Sequence, residues 1–296
     1  MRPTTLPIRE ALIGAITLLA LLFVTVAIRG WRSQRSSGGS SRPTFGQLLI
    51  GVVVNFFDTL GIGSLATTTT AFRTLHMVPD EQLPATMIVG LTLPVVTQAL
   101  IFITTVQIDP VMLLLMIVAA FVGGWAGAAV VSRLPRRPIQ QAMGTALLVA
   151  ALFMALGQLG LMPTGGGALS LPPGRLALAL SINVLFGALV MVGIGNYGPT
   201  FVLLSALGMD PRAAFPIMMG SGAFAALVGS MRFVRSGRVV WQPAIGLTLG
   251  GVPAVLVAAL VVKSLPLDVM RWIVLAVVIY AAITMLRSPT PSGNQA

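Results

Sequence analysis

The sequence of 296 residues contains no cysteine and a single histidine, His76. Without cysteine, disulfides, thiolate metal sites and cysteine nucleophiles are excluded. A zinc site is not expected either, because one histidine cannot supply the usual nitrogen and sulfur ligands. The patterns HExxH, the P-loop and G-x-S-x-G are also absent. We therefore expect that the chain is not an enzyme and does not hydrolyse ATP by itself.

Charged residues are scarce as well, at 8% of the chain against 56% hydrophobic residues. A soluble domain carries about 25% charged residues, so this composition indicates an integral membrane protein. Several runs free of Asp, Glu, Lys and Arg are long enough to cross a hydrocarbon core of about 30 Å as helices. These runs are Leu83–Val106, Val111–Ser132, Pro138–Leu171 and Val239–Val262.

Basic residues outnumber acidic residues by 18 to 7, which gives a net charge of +11. The arginines lie mainly in short segments between the apolar runs. In that position they orient a chain in the membrane. We therefore expect the basic residues to set the orientation of the chain in the lipid bilayer, and we expect no nucleic-acid partner.

The first 44 residues predict a transmembrane helix followed by a linker. Ala11–Ile28 is apolar, and more basic residues follow it than precede it, which places the N-terminus outside the cell. No small-residue cleavage pattern follows, so a retained helix is favoured over a signal peptide. Ser33–Ser41 is rich in Ser, Gly and Arg, and we expect it to be flexible.

From Phe45 onwards the sequence is duplicated. Shifted by 132 residues, Gly61–Gly90 aligns with Gly193–Gly222 without a gap, and ten of these thirty positions are identical. Leu134-Pro135 then matches Leu265-Pro266 after a deletion of one residue. Internal repeats are typical of secondary transporters. The identical residues are Gly61, Ile62, Gly63, Thr68, Leu75, Met77, Pro79, Pro84, Met87 and Gly90.

Each repeat consists of a broken segment followed by three apolar helices. The broken segments, Phe45–Leu75 and Leu176–Leu207, would each measure about 45 Å as a helix, which is too long for one crossing. If both are re-entrant hairpins, the arginine-rich loops and the C-terminus fall in the cytoplasm, and the odd number of crossings per repeat inverts one repeat relative to the other. We therefore predict an all-α integral membrane protein with two inverted repeats, each a re-entrant helical hairpin plus three transmembrane helices, and an extra N-terminal helix. The repeats are residues 45–160 and 174–287.

Glycines and small polar residues interrupt each predicted hairpin. After each Gly-Ile-Gly a second half-helix starts, whose unpaired N–H groups and positive dipole end favour anions. Two such ends would meet near the middle of the membrane and would bind a small oxyanion such as sulfite, a sulfonate or a carboxylate. The alternative is that the glycines only ease a turn or helix packing. The candidate binding residues are Gly61, Ile62, Gly63, Ser64, Thr67 and Thr68 in the first repeat, and Gly193, Gly195, Asn196, Tyr197 and Thr200 in the second.

Asp58 is the only acidic residue in the interior of an apolar segment. Such residues are costly in a membrane and point to function. Asp58 is a candidate to couple transport to H⁺ or Na⁺, with Asn55 on the same helical face. The alternative is that it caps the second half-helix or bonds the hairpin turn. Gln98 and Ser221 either line the cavity or form hydrogen bonds between helices.

The stretch Val54–Phe72 together with Pro84, Gly90 and the duplicated Gly-Ile-Gly resembles the sulfite exporter TauE/SafE family of permeases. The resemblance covers about Phe45–Leu286 and leaves the first helix as an extension. It implies transport of sulfite, sulfonates and related organic anions across the bacterial inner membrane, often with ion coupling. The family's glycine-rich hairpin motifs fall on Gly61–Ser64 and Gly193–Asn196.

The sequence therefore predicts a secondary transporter of small sulfur-containing or organic anions, with a small anion and the lipid bilayer as its partners. No cofactor is expected apart from H⁺ or Na⁺ as a coupling ion, and a homo-oligomer is left open. Two other classes of function remain, an uncoupled anion channel and a non-transporting membrane scaffold or sensor.

Overall fold

The computed structural model describes residues 6–35, 42–61, 63–79, 81–131, 166–190, 197–264 and 266–287, with short pieces between 141 and 159. Within these residues the chain is almost entirely helical. Ala168 and Met209 form an isolated bridge, and the described part of the chain contains no sheet. The predicted all-α class is confirmed for these residues.

The described helices follow the predicted apolar runs to within a few residues, except that the first is longer at both ends than the predicted Ala11–Ile28 and that the predicted run Pro138–Leu171 lies partly outside the described residues. They are α1 Leu6–Arg35, α2 Phe45–Thr59, α3 Ser64–Thr74, α4 Leu83–Thr105, α5 Pro110–Val131, α6 Pro173–Val190, α7 Tyr197–Ala206, a 3₁₀ turn Pro211–Ala213, α8 Ala214–Arg235, α9 Trp241–Ser264 and α10 Leu267–Arg287. The prediction of a flexible linker from Ser33 is wrong for its first three residues. They remain helical because the end of α1 is held by the turn between α8 and α9, where Gln34 donates a hydrogen bond to the Gly237 carbonyl.

Four helices within the described residues are long and apolar enough to cross a membrane. They lie at Ile8–Gln34, Leu83–Thr105, Ala214–Arg235 and Trp241–Val261. The large apolar side chains on the outside of α1 and α9, such as Leu18 and Leu260, are exposed. Those outer faces therefore suit contact with lipid rather than with water.

The chain doubles back on itself between α2 and α4. α2 ends at Thr59, and α3 begins at Ser64 after a short break. The loop that follows α3 returns to the level at which α2 starts, where the Met77 side chain lies 3.7 Å from the position of a Cβ at Gly46. We call α2 and α3 the first helical hairpin.

The second broken segment also closes on itself at its base. The Arg175 side chain, near the start of α6, donates a 3.1 Å hydrogen bond to the Leu207 carbonyl, just beyond the end of α7. We call α6 and α7 the second helical hairpin. Its break, residues 191–196, lies outside the described residues.

The centre of the protein is formed by α4 and α8, which run antiparallel. Early residues of α4 meet late residues of α8, as Ile88 faces Gly229 and Val95 faces Gly222. A buried hydrogen bond between the Thr92 and Ser230 hydroxyls joins the two helices. Hydroxyl pairs of this kind hold helices together where water is absent.

α9 packs closely against α2 and α4, and glycines allow the approach. A Cβ at Gly51 of α2 would lie 2.6 Å from the Gly246 carbonyl oxygen of α9. Further along, Gly251 meets the Asn55 side chain and Pro94. Since residue numbers rise together along α2, α9 and α4, these three helices run in the same direction.

An equivalent contact joins α5 and α6. Asn183 of α6 donates a 2.6 Å hydrogen bond to the Met116 carbonyl of α5, and a Cβ at Gly187 would overlap the Ala120 backbone. The positions match those of α2 and α9 in the duplication. Gly51 and Asn55 correspond to Asn183 and Gly187 by a shift of 132, and Leu247 and Gly251 correspond to Met116 and Ala120 by a shift of 131. The first helix of each hairpin thus packs on a helix of the other half of the chain.

We predict that adding one methyl group at these contacts destabilises the protein. Gly51→Ala and Gly187→Ala place a Cβ against backbone atoms that cannot move aside, and overpacking of this kind costs about 1–3 kcal/mol. Gly14→Ala on α1 is the matched control, because a Cβ there meets nothing within 4 Å. The measurement is unfolding of the purified protein in detergent, and equal stability of all three variants would contradict this packing.

Candidate functional site

The first helix break depends on two glycines in the left-handed region of the backbone. Gly61 has φ 99° and Gly63 has φ 87°, conformations that side-chain-bearing residues rarely adopt. Gly63 is the N-cap of α3, and a Cβ there would meet no atom of the described residues within 4 Å. A ligand can therefore approach the backbone at the start of α3, where the first N–H groups have no partner within the helix.

Asp58 lies one turn before this break, in the last turn of α2, and its side chain is only 1% exposed. Its Oδ2 accepts a 2.9 Å hydrogen bond from the Gln98 side-chain amide of α4. The same Gln98 amide donates to the Thr59 hydroxyl at 3.0 Å. The sequence left two roles for Gln98, lining a cavity or bonding between helices. In the structure Gln98 joins the first helical hairpin to the central helix α4.

The predicted binding residues of the first hairpin lie in different surroundings. Ser64 is buried in the first turn of α3, beside the Asp58 carboxyl. The Thr67 hydroxyl donates to the Ser64 carbonyl at 3.0 Å, and so it is occupied by its own helix. Asn55 is fully buried, and its amide donates to the Gly51 carbonyl at 2.8 Å.

Thr68 and Thr200 form an equivalent pair in the two hairpins. Thr68 lies in the second turn of α3, and Thr200 lies in the first turn of α7. Both are fully buried, and neither hydroxyl has a hydrogen-bond partner among the described residues. A buried hydroxyl without a partner is costly, so both are available to a ligand.

The first helix break contacts the second hairpin. A Cβ at Gly61 would lie 2.7 Å from the ring of Phe201 on α7. Tyr197, the first residue of α7, is half-buried and lies near Asp58, and its hydroxyl faces Gly222 of α8. The structure therefore brings the start of α7 to the break between α2 and α3. Four predicted site residues, Ile62, Gly193, Gly195 and Asn196, lie outside the described residues.

An aromatic cluster, which the sequence did not reveal, covers this meeting point. Phe201 packs edge-to-face on Phe215 of α8 with ring centroids 4.9 Å apart, and Phe215 stacks on Phe102 of α4 at the same distance. All three rings are buried. The duplication gave no signal for this cluster, because the position of Phe201 is occupied by Thr69 in the first repeat.

A cavity of about 500 Å³ lies on the other side of the aromatic cluster. It is found where α4 ends and α8 begins. Phe102 and Phe215 form part of its wall, and Gln107, Arg212 and Leu260 also line it. Since Phe215 also contacts Phe201, the cluster connects the wall of this cavity to the first helix break.

Comparison with known proteins identifies one family. The family model described as Sulfite exporter TauE/SafE matches residues 5–154 and 176–296. The match begins within the first residues of the chain, so the expectation that the first helix lies outside the family resemblance is wrong. No curated protein and no solved structure matches the chain.

We predict that Gln98→Met destabilises the protein, because it removes the side-chain amide that bonds Asp58 and leaves a buried carboxyl oxygen without a donor. The expected loss is about 1–3 kcal/mol in the free energy of unfolding. Gln34→Met is the matched control, since it also removes a side-chain amide donor, but from an exposed residue that bonds the Gly237 carbonyl. Denaturant unfolding in detergent measures both variants. If Gln98→Met is as stable as the control, Gln98 does not support Asp58.

Proposed function

This chain belongs to the sulfite exporter TauE/SafE family, and we propose that it is a secondary transporter of small sulfur-containing or organic anions, such as sulfite or sulfonates. The described helices and the family support a multi-pass membrane protein that acts in transport. Its substrate would be held where the two helical hairpins meet.

The observation that carries this proposal is the meeting of two helix starts at one buried place. The break before α3 contacts Phe201 in the second turn of α7. Each helix start offers unpaired N–H groups and a positive dipole end. The hydroxyls of Thr68 and Thr200 add two buried donors that have no partner in the described part of the chain. An oxyanion would supply acceptor atoms for these two hydroxyls and for the N–H groups of the helix starts.

We also propose that the two repeats are inverted and exchange access to the site between the two sides of the membrane. Two observations support the inversion. The equivalent helices α4 and α8 run antiparallel, and the first helix of each hairpin packs on the other half through corresponding residues. The aromatic cluster between the site and the cavity is consistent with one closed side, which favours alternating access over an open pore.

The distribution of charge supports an orientation in the membrane. The end of α1, the segment before α2 and the turn between α8 and α9 lie together, since Gln34 contacts Gly237 and Gln242 contacts Arg42. This end carries Arg29, Arg32, Arg42, Arg232, Arg235 and Arg238. By the positive-inside rule it would face the cytoplasm of a bacterial inner membrane, with the N-terminus outside and the C-terminus inside.

We predict that Thr68→Val and Thr200→Val each raise the KM for the anion at least about tenfold. A hydrogen bond to a charged group contributes about 1.5–3 kcal/mol, and 1.4 kcal/mol corresponds to a factor of ten. The stability of the protein should be unchanged or higher, because each variant replaces a buried hydroxyl without a partner by a methyl group of similar size. The measurement is uptake of labelled sulfite or a sulfonate into liposomes that contain the purified protein.

Thr92→Val is the matched control for this experiment. Thr92 is equally buried, but its hydroxyl is bonded to Ser230. This variant should lower stability and leave the KM unchanged. Wild-type KM values in both Thr68→Val and Thr200→Val would show that the anion does not bind between the hairpins. Absence of flux for every oxyanion tested would contradict the proposed function itself.

A further inference from the structure

Three buried side-chain oxygens near the first helix break have no hydrogen-bond donor among the residues that the structure describes. They are Oδ1 of Asn55, Oδ1 of Asp58 and Oε1 of Gln98. The three side chains are at most 1% exposed. Asn55 and Asp58 lie one turn apart on α2, and Gln98 of α4 contacts Asp58. The proposed anion site uses none of these oxygens.

The orientation of both amides is fixed by their neighbours. The nitrogen of Gln98 faces two acceptors, the Asp58 carboxyl and the Thr59 hydroxyl. The Thr59 hydroxyl accepts from Gln98 because it donates its own hydrogen to the Asn55 carbonyl at 2.7 Å. The nitrogen of Asn55 donates to the Gly51 carbonyl. Turning either amide would set oxygen against oxygen, so the unpaired atoms are acceptors.

Buried acceptors without donors cost free energy, and a positively charged partner offsets that cost. The carboxyl end of α2 adds to this need, because the last turn of a helix carries a partial negative charge. The set contains one carboxyl and otherwise neutral oxygens. Ca²⁺ sites draw on more carboxylates than this, so the set suits a cation of single charge. Ser64 lies beside Asp58 as a hydrogen-bond donor and is not counted among these oxygens.

We propose that Asn55, Asp58 and Gln98 bind Na⁺ between α2 and α4, and that this ion is the coupling ion of the transporter. The coupling rests on the proposed function. An anion bound at the first turn of α3 lies next to Asp58, and the like charges repel. Na⁺ at Asp58 cancels this repulsion, so each ion raises the affinity for the other. The two ends of the first helix break thus serve opposite charges, the cation at the end of α2 and the anion at the start of α3.

The test measures thermal unfolding of the purified full chain in detergent without any substrate anion, as NaCl replaces KCl or choline chloride at constant ionic strength. Na⁺ should raise the Tm of the wild type by several degrees, and the shift should grow with the logarithm of the Na⁺ concentration. Asp58→Asn, which keeps the shape of the side chain, should abolish the shift. Asn55→Ser should weaken it. Binding of radioactive sodium to the same samples gives a second readout that does not depend on unfolding.

Asn183→Ala is the matched control. Asn183 is a buried asparagine that also donates to a backbone carbonyl, but it lies on α6 and contacts α5. It should lower the Tm and keep the full response to Na⁺. An equal response to Na⁺, K⁺ and choline, or an undiminished Na⁺ response and sodium binding in Asp58→Asn, would overturn the proposal.

The outcomes separate this site from the proposed function. Anion flux that does not depend on Na⁺, together with a Tm that does not respond to Na⁺, would contradict the cation site but not the proposed transport function. A Na⁺ response that depends on Asp58, together with no flux of any oxyanion, would support the cation site and remove the proposed function.

Discussion

The hydrogen bond between Asp58 and Gln98 joins the two parts of the molecule on which the rest depends. On one side is a helix that breaks in the apolar interior, and on the other is the central helix α4. A buried carboxyl next to open backbone is tolerated at membrane depth only where protein surrounds it or a cavity borders it. Gln98 supplies one donor, and the break places the start of α3 beside the same carboxyl. Burying this carboxyl and the open backbone costs folding free energy, and this cost is the reason to expect a functional site there.

The packing of the two halves explains how such a break is held in place. The first helix of each hairpin packs on the opposite half of the chain at corresponding positions, where glycine and asparagine exchange places between the repeats, so each half supplies the packing surface for the hairpin of the other. The antiparallel pair α4 and α8 lies between the hairpins, and the rings of Phe102 and Phe215 connect that pair to Phe201 of α7. Movement of one half against the other would therefore change the contact between Gly61 and Phe201 and the aromatic cluster at the same time. Alternating access requires coupled changes of this kind.

Much of this could be predicted from the sequence, because glycine, charge and repetition leave clear patterns. The break at Gly61–Ser64, the helix bounds and the equivalence of Thr68 and Thr200 all follow from them. The partner of Asp58 could not be predicted, since it depends on the rotation of α4 about its axis. The aromatic cluster was hidden because only one repeat carries a ring at the position of Phe201. The last turn of α1 was missed because it is held by contacts with the distant turn at Gly237.

The central claim is that one anion binds between the two hairpins, and the absence of cysteine makes a direct test possible. Single cysteines at Thr68 and Thr200, with a third at the exposed loop residue Gly167 as reference, are labelled with a maleimide in liposomes with and without an alkyl sulfonate that the protein transports. We predict that the sulfonate slows labelling in Thr68→Cys and Thr200→Cys and leaves Gly167→Cys unchanged. Equal labelling rates in both hairpin variants, with and without the transported sulfonate, would contradict it.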